Sequence, residues 1–346
     1  MKRNYKIAII GGNISALYSA IKYIDNGFSI NIFERKNYIN IDSFDNYIYS
    51  LYNDNHTIYI NLLKKFEIES IKLNDITFNN KLYDIFNIVV EKSKLIPKNV
   101  LLTYTFFNLC KTCLKQNDID IIKYYFNNCD IINNINAIDF IYIINKDLTS
   151  NTNYYYVTND NINLLIKKMI AYIDNKNKIY YNNNVKTIKY NTNNSTNKFI
   201  INDNKNILYD YIICTISKDN LLAFDFWNYK QVALLNNVTN VNSSNVKTMI
   251  DKLLNFNINQ SKLDNNEKIR YKLLSDFNIV YPIGNNKLKN ICFWNIGTNN
   301  VIIRDKIKNI YNNKFLISSD SFTINNMFIN YSLDNIDTNI LKIKKN

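Results

Sequence analysis

Three small residues near the start of the chain have the spacing of a phosphate-binding turn. The stretch IAIIGGNISA places Gly11, Asn13 and Ala16 where a dinucleotide-binding unit has Gly-x-Gly-x-x-Gly/Ala. In that pattern the first glycine makes the tight turn, the second lets the backbone approach a pyrophosphate, and the third lets helix pack on strand. Glu34 follows roughly 20 residues on, where a carboxylate can accept hydrogen bonds from a ribose. With Gly12, these residues are the predicted nucleotide-binding set.

Asn13 is the departure from this pattern. Its side chain stands where phosphate oxygens would approach the backbone. Asparagine tolerates left-handed backbone angles better than other residues with a side chain, so the turn is expected to keep its shape. Two interpretations stay open: a dinucleotide site, and a parallel βαβ unit that holds no nucleotide.

The surrounding pattern predicts the elements that position this turn. Residues 7–10 read as a buried strand, residues 14–25 have the apolar spacing of a helix, and residues 28–33 read as the next strand. The pair Asn26-Gly27 supplies a helix stop. The turn is therefore expected between the first strand and the first helix.

Other residues that could do chemistry lack partners in the sequence. His56, the sole histidine, is predicted to lie at a helix start as a cap or on the surface. Cys110 and Cys113 form a lone C-x-x-C in an apolar run, and no second pair or nearby histidine completes a metal site. The five cysteines have no pattern, which indicates reduced thiols in a reducing compartment.

Length and composition bound the broad class. At 346 residues the chain can bury a large core, as two domains or as one domain with a sizeable insertion. The sequence has no run of about 18 apolar residues, so no membrane span is expected. A strand-like run begins close to the N-terminus, so no signal peptide is expected. An intracellular, cytoplasmic protein is expected.

The formal net charge of +13 raises the hypothesis of nucleic-acid binding. The lysines are scattered, however, and the chain is rich in Asn, Ile, Lys and Tyr, which codons of A and T alone can encode. The aromatic run 154–156, with Trp227 and Trp294, could stack bases but has the strand-like spacing of core residues. Nucleic-acid binding is the less favoured interpretation, although a basic face can attract an acidic partner.

Three stretches resemble the FAD-dependent amine oxidases, especially the short versions carried by large DNA viruses. The first is the opening unit. The second, YYYVTNDNINLLIKKM at 154–169, resembles the strand, turn and helix that re-enter the FAD domain. After it come segments similar to a strand with a valine against the adenine, a hairpin, and a strand ending near a threonine; Val185 and Thr215 hold those positions. The third, FLISSDSFTINNMFINYSLDN at 315–335, resembles the final flavin-binding strand, loop and helix.

The resemblance implies an α/β fold, with an FAD/NAD(P)-binding Rossmann-like domain and an inserted substrate domain. The FAD-binding-type domain would comprise residues 1–44, 151–224 and 301–346, and the substrate-type domain residues 45–150 and 225–300.

The resemblance also implies FAD as the cofactor and adds candidate site residues. Val185 would contact the adenine, Asp320 the ribityl chain, and Phe328 would help to frame the substrate cage. The family has a lysine near the reactive nitrogen of the flavin, and Lys247 is the catalytic candidate at a similar place. In so lysine-rich a chain, a surface lysine is the competing and favoured interpretation of Lys247.

Many residues that would meet the cofactor differ from the family pattern. A Gly-Gly-Arg triplet that meets the pyrophosphate falls at 40–42, which read Asn, Ile and Asp; an aspartate there repels what an arginine attracts. A Gly-Arg pair is Ser50-Leu51, and the paired glycines of the re-entry turn are Asn159-Asp160. The glycine that lies against the flavin ring is Tyr331, whose phenol would take up part of the flavin's volume.

This pattern of loss favours a degenerate member of the flavin amine oxidase family, retained as a non-catalytic binding or structural protein with an unidentified protein partner. The main alternative is an active FAD-dependent oxidase that oxidises the C–N bond of a small amine with oxygen as acceptor. A weaker alternative is a basic nucleic-acid-associated protein.

Overall fold

The computed structural model describes residues 5–39, 51–73, 77–78, 80–126, 136–146, 152–174, 178–191, 198–236, 241–242, 254–255, 293–294, 306–307, 311, 313–318, 333–334 and 336–337. The predicted βαβ unit lies wholly within these residues.

The elements are as follows, in chain order. The strands are β1 Lys6–Ile10, β2 Ser29–Phe33, β3 Leu51–Asn53, β4 Ile71–Lys72, β5 Thr77–Phe78, β6 Tyr154–Tyr156, β7 Lys178–Tyr180, β8 Ile188–Asn191, β9 Lys198–Ile201, β10 Tyr211–Cys214, β11 Val241–Asn242, β12 Leu254–Asn255, β13 Phe293–Trp294 and β14 Phe315–Ile317. The helices are α1 Ile14–Asp25, α2 Thr57–Lys65, α3 Asn80–Ser93, α4 Lys98–Leu101, α5 Phe106–Cys113, α6 Gln116–Phe126, α7 Ala137–Lys146, α8 Asn159–Asp174, α9 Lys218–Leu222 and α10 Tyr229–Asn236.

A parallel sheet of five strands positions the candidate site. Its strand order is β14-β10-β1-β2-β7, and every neighbouring pair is parallel. Ile10 pairs with Phe33 on one side and with Cys214 on the other, so these three strands end at the same edge. Open α/β sheets bind ligands outside the carboxyl ends of their strands, at the point where the strand order reverses. Here that point is the end of β1.

The two faces of the sheet bury different layers because successive side chains of a strand point to opposite sides. Ile7 and Ile9 belong to a cluster that includes buried residues of α1 and α8. Ala8 and Ile10 belong to a second cluster, which includes Phe199 of β9. The pair β8 and β9 is antiparallel and covers this second face, as the predicted hairpin requires. The sheet is thus enclosed between helices and a β-ribbon.

A third core lies among the helices between residues 80 and 146. The rings of Phe86, Phe106 and Phe140 are fully buried and in mutual contact, with centroid distances of 3.8 to 5.3 Å. The cluster also takes in Tyr154 and Tyr156 from β6, which lies between β3 and β4 in a small antiparallel sheet. Aromatic side chains bury large areas and favour such edge contacts. The prediction that the aromatic run 154–156 is core is confirmed for Tyr154 and Tyr156, whereas Tyr155 is only partly buried.

Several predicted boundaries agree with the structure and two do not. The first strand, helix and second strand occur as predicted, and the stretch 154–169 forms a strand followed by a helix. Asn159 and Asp160, predicted in a turn, are the first residues of α8.

Val185 was expected on a strand, and this prediction is wrong, because β8 begins only at Ile188. The N–H groups of Lys186 and Thr187 donate to the side-chain Oδ1 of Asn202, at 2.8 and 3.4 Å, instead of joining a strand ladder. The side chain of Asn202 thus takes the place of a neighbouring strand for these two N–H groups.

Among the described residues, no helix is both long and apolar enough to cross a membrane.

Candidate nucleotide site

The turn between β1 and α1 begins at Gly11, and the packing around it requires glycine. Its φ is +107°, a backbone conformation that residues with a Cβ rarely adopt. A Cβ at this position would come to 2.6 Å from Thr215 Oγ1 and 2.9 Å from Ile216 Cγ2. The N–H of Gly11 donates to the carbonyl of Phe33 at 2.9 Å. The backbone angle and the contacts with Thr215 and Ile216 therefore require glycine here whether or not a nucleotide binds.

Gly12 is likewise confined by the protein, and its neighbour is the second candidate residue, Glu34. A Cβ on Gly12 would lie 2.5 Å from Glu34 Oε2 and 2.8 Å from Ile39 Cγ1. Glu34 is only 9% exposed, and its Oε1 accepts the backbone N–H of Lys36 at 2.8 Å. The carboxylate therefore lies against the glycine turn at the end of β2, as the sequence predicted.

Asn13 caps the helix that follows. Its φ and ψ are −80° and 176°, which is extended backbone, so the tolerance of asparagine for left-handed angles plays no part. The side-chain Oδ1 accepts the N–H of Ala16 at 3.0 Å, and Nδ2 donates to the carbonyl of Thr215 at 2.7 Å. An asparagine cap of this kind stabilises a helix by about 0.5–2 kcal/mol. The carboxamide thus bridges the start of α1 and the end of β10.

Ala16, in the third position of the motif, is fully buried and belongs to the cluster that includes Ile9. A small residue at this position lets the helix approach the sheet closely, which is the role that the pattern predicts.

This geometry tests whether the turn fits the pyrophosphate of FAD. A pyrophosphate at such a turn binds the unpaired backbone N–H groups of the helix N-terminus. The Asn13 carboxamide already takes the N–H of Ala16 and lies across that end of the helix. As the structure has it, the turn does not fit the pyrophosphate of FAD unless Asn13 moves.

Thr215 and Val185 lie beside this turn. Thr215 follows β10, is 1% exposed, and donates from Oγ1 to the carbonyl of Ile10 at 3.0 Å. Val185 is buried in the cluster that includes Ile10 and Phe33. Two residues before Val185, the N–H of Asn183 donates to the carbonyl of Glu34 at 2.8 Å. The structure therefore brings Val185 and Thr215 to the same edge of the sheet as Gly11.

The remaining candidates lie outside the described residues. They are Lys247, Asp320, Phe328, the triplet Asn40, Ile41 and Asp42, and Tyr331. Their roles stay predictions.

His56 occupies the start of α2, as predicted, but it is not on the surface. The ring is fully buried, and Nδ1 accepts the backbone N–H of Asn53 at 3.1 Å. The ring makes no side-chain capping bond to the helix. The predicted position is confirmed, since His56 is the N-cap residue and its carbonyl accepts the N–H of Ile60 at 2.9 Å. The prediction of an exposed role is wrong, and the ring bonds a residue before the helix instead of capping it.

Cys110, Cys113 and Cys214 are free thiols and are buried. Burial raises the pKa of each, and the nearby Cys113 raises the pKa of Cys110 further. Because the thiolate is the nucleophilic form, these residues are poor nucleophiles.

The link from Asn13 to Thr215 was missed at the level of sequence. One signal was present, since asparagine directly before an apolar helical stripe is a preferred N-cap. The bond from Asn13 Nδ2 to the carbonyl of Thr215 could not be predicted, because Thr215 lies 202 residues away along the chain.

Comparison with known proteins gives matches in structure only. No protein-family model matches the sequence, and no curated protein matches it in sequence. A double mutant of putrescine oxidase, from a redesign of its cofactor binding, matches with a TM-score of 0.61 and 10% identity, over 98% of this chain and 99% of that chain. Cyclohexylamine oxidase from Brevibacterium oxydans matches with a TM-score of 0.60 and 9% identity, over 99% and 100%. An oxidoreductase from Methanosarcina mazei matches with a TM-score of 0.59 and 11% identity, over 97% of this chain and 100% of that chain.

At these identities the matches establish the fold. They extend over nearly the whole of this chain and of each neighbour. The predicted fold class is confirmed: the chain has an α/β Rossmann-like fold similar to that of these amine oxidases.

Proposed function

We propose that this chain is a degenerate relative of the flavin amine oxidases, of the short form found in large DNA viruses. In this proposal it does not bind FAD and acts as a non-catalytic binding or structural protein. The observation that carries the proposal is the Asn13 carboxamide, which bonds both Ala16 N–H and Thr215 C=O where a pyrophosphate would approach.

The retained glycines do not argue for a cofactor. Gly11 is confined by Thr215 and Ile216, and Gly12 by Glu34 and Ile39. These contacts are made within the chain, so both glycines have a structural reason to stay when cofactor binding is lost. The same holds for Ala16, which packs helix on sheet. The contacts of the fold alone explain why these small residues are present in the turn.

The sequence changes along the rest of the expected cofactor path point the same way. An aspartate at position 42 in place of an arginine repels a diphosphate, and Tyr331 adds a phenol where the flavin ring needs space. Several losses along one ligand support a site that no longer binds it.

A protein partner with an acidic surface suits the net charge of +13. Nucleic acid is a weaker candidate, because two of the aromatic groups considered for base stacking are core residues: Tyr154 is fully buried and Trp227 is 8% exposed. Free buried thiols accord with a reducing compartment, so the proposal places the protein in the cytoplasm, or in a virion if it is viral.

An active amine oxidase is the second candidate, and Glu34 favours it. The carboxylate stands at the end of β2 beside Gly12, where an acidic residue meets the ribose of a dinucleotide. Under this alternative FAD would take a hydride from the amine, and this chain would orient the substrate.

The visible absorption spectrum of the purified protein separates the two candidates. We expect a colourless protein that releases no FAD on denaturation and whose melting temperature does not change with added FAD. A site that binds FAD would gain ~2.7 kcal/mol at a hundredfold excess over Kd. A yellow protein that releases one FAD per chain would overturn the proposal and favour the oxidase.

A further inference from the structure

We infer that the side chain of Asn13 is an internal substitute for a bound diphosphate, and that this one side chain closes the turn. The inference deepens the proposed function and rests on it. Replacement of Asn13 by glycine is then expected to open the turn between β1 and α1 to the diphosphate of ADP.

The first support is the position of the carboxamide. Its oxygen accepts a helix N-terminal N–H, that of Ala16, which is the type of bond a phosphate oxygen makes at this place. Its nitrogen donates to Thr215 C=O on the neighbouring strand, so the group is fixed at both ends.

The second support is that the rest of the turn is in place. Gly11 and Gly12 add no side chain of their own to the turn, and Ala16 keeps the helix close to the sheet. Within the described stretches of the chain, the N–H groups of Gly12, Asn13 and Ile14 meet no acceptor. These donors belong to the same turn as the carboxamide, and the inference is that they serve a diphosphate once the carboxamide is removed.

The third support is that glycine can replace asparagine here without rebuilding the backbone. Asn13 has extended angles, −80° and 176°, which glycine adopts freely. Its carbonyl accepts the N–H of Leu17 at 3.0 Å, a bond that the substitution leaves in place. Among N-cap substitutions, glycine is one of the mildest.

The test measures binding of ADP and of FAD to the full chain by calorimetry, for wild type, Asn13→Gly and Asn26→Gly. Asn26 is the matched control, because it caps the other end of the same helix and, in the part of the chain that the structure describes, its Nδ2 bonds the local carbonyl of Lys22. We expect Asn13→Gly to bind ADP at least about tenfold more tightly than wild type, ~1.4 kcal/mol, and Asn26→Gly to behave as wild type.

The outcomes are separable. If Asn13→Gly binds ADP no more tightly than wild type, the inference fails while the proposed function stands. An equal gain in Asn26→Gly indicates general loosening and also overturns the inference. If wild type itself binds FAD stoichiometrically, the proposed function fails.

A second variant keeps the inference testable if Asn13→Gly does not fold. Asn13→Ser keeps a capping oxygen, but its shorter side chain gives up the bond to Thr215. We expect a gain in ADP affinity smaller than that of glycine but measurable. An affinity equal to that of wild type in a folded Asn13→Ser overturns the inference.

Discussion

The two ends of helix α1 are built from the same residue types and are constrained differently. At the N-terminal end, Gly11 and Asn13 contact Thr215, which follows a strand far along the chain. At the C-terminal end, Asn26 bonds the carbonyl of Lys22 one turn earlier, and a methyl group on Gly27 would meet no other described part of the chain within 4 Å. The same two residue types are therefore constrained by distant parts of the chain at one end of the helix and by local contacts at the other.

The sharpest way to break this contrast is to place a methyl group on each glycine. Both have positive φ, +107° at Gly11 and +82° at Gly27, so alanine strains the backbone at either. At Gly11 the Cβ also meets Thr215 Oγ1 at 2.6 Å. We expect Gly11→Ala to lower the free energy of unfolding by roughly 2–5 kcal/mol and Gly27→Ala by about 1–2 kcal/mol. Urea unfolding of both variants measures this, and equal losses would contradict the contrast.

A smaller effect, of opposite sign, is expected from Tyr23 near the C-terminal end. Its side chain is fully buried against Phe28, and in the described part of the chain its hydroxyl has no hydrogen-bond partner. Tyr23→Phe should raise the free energy of unfolding by about 1 kcal/mol, because a buried unpaired hydroxyl is removed. Tyr18→Phe is the control and should destabilise, since the Tyr18 hydroxyl donates to Asp337 Oδ1 at 2.9 Å.

The same tyrosines give a pH dependence. Burial raises the pKa of Tyr23 and of Tyr18, and the carboxylate of Asp337 raises that of Tyr18 further. A raised pKa means that the folded chain holds the proton more tightly, so stability is complete below the unfolded value of about 10 and falls above it. In Tyr23→Phe this alkaline loss should be smaller, as followed by circular dichroism and tyrosinate absorbance. An unchanged pH profile would contradict the assignment.

The smallest effect is expected from the ion pair at the C-terminal end. Lys65 Nζ lies 2.6 Å from Asp25 Oδ2 and 4.6 Å from the centre of the Tyr172 ring, but both charged side chains are about one-third exposed. Asp25→Asn should cost under about 1 kcal/mol, and added salt should remove most of that difference. Glu91→Gln, which breaks an exposed pair with Lys94, is the matched control. A loss above about 2 kcal/mol in Asp25→Asn would show a tighter anchor than surface pairs provide.

The parts of the fold that depend on local pattern were predictable from the sequence. The first strand, α1 and β2 follow from apolar spacing, and the pair Asn26-Gly27 marks the helix end. The placement of Glu34 follows from the length of this unit. These features need only neighbouring residues, which a sequence displays.

Long-range contacts decided what the sequence could not predict. Val185 lies outside a strand because the side chain of Asn202 takes the N–H groups that follow it. His56 is fully buried, and its ring accepts the N–H of Asn53 at the end of β3, a local bond that the sequence pattern also does not show. The closure at Asn13 depends on Thr215, which the sequence does not bring near. In each case a polar side chain bonds backbone that no periodic pattern reveals.

The strand order of the main sheet has a consequence for synthesis on the ribosome. β1 lies between β2 and β10, but residues 211–214 follow it by some 200 positions. At ~5–20 residues per second, this is roughly 10–40 s during which one edge of β1 has no neighbour. An unpaired apolar edge such as Ile7 to Ile10 is a template for association with other chains. The nascent chain is therefore expected to need protection of this edge, for example by a chaperone, until β10 emerges.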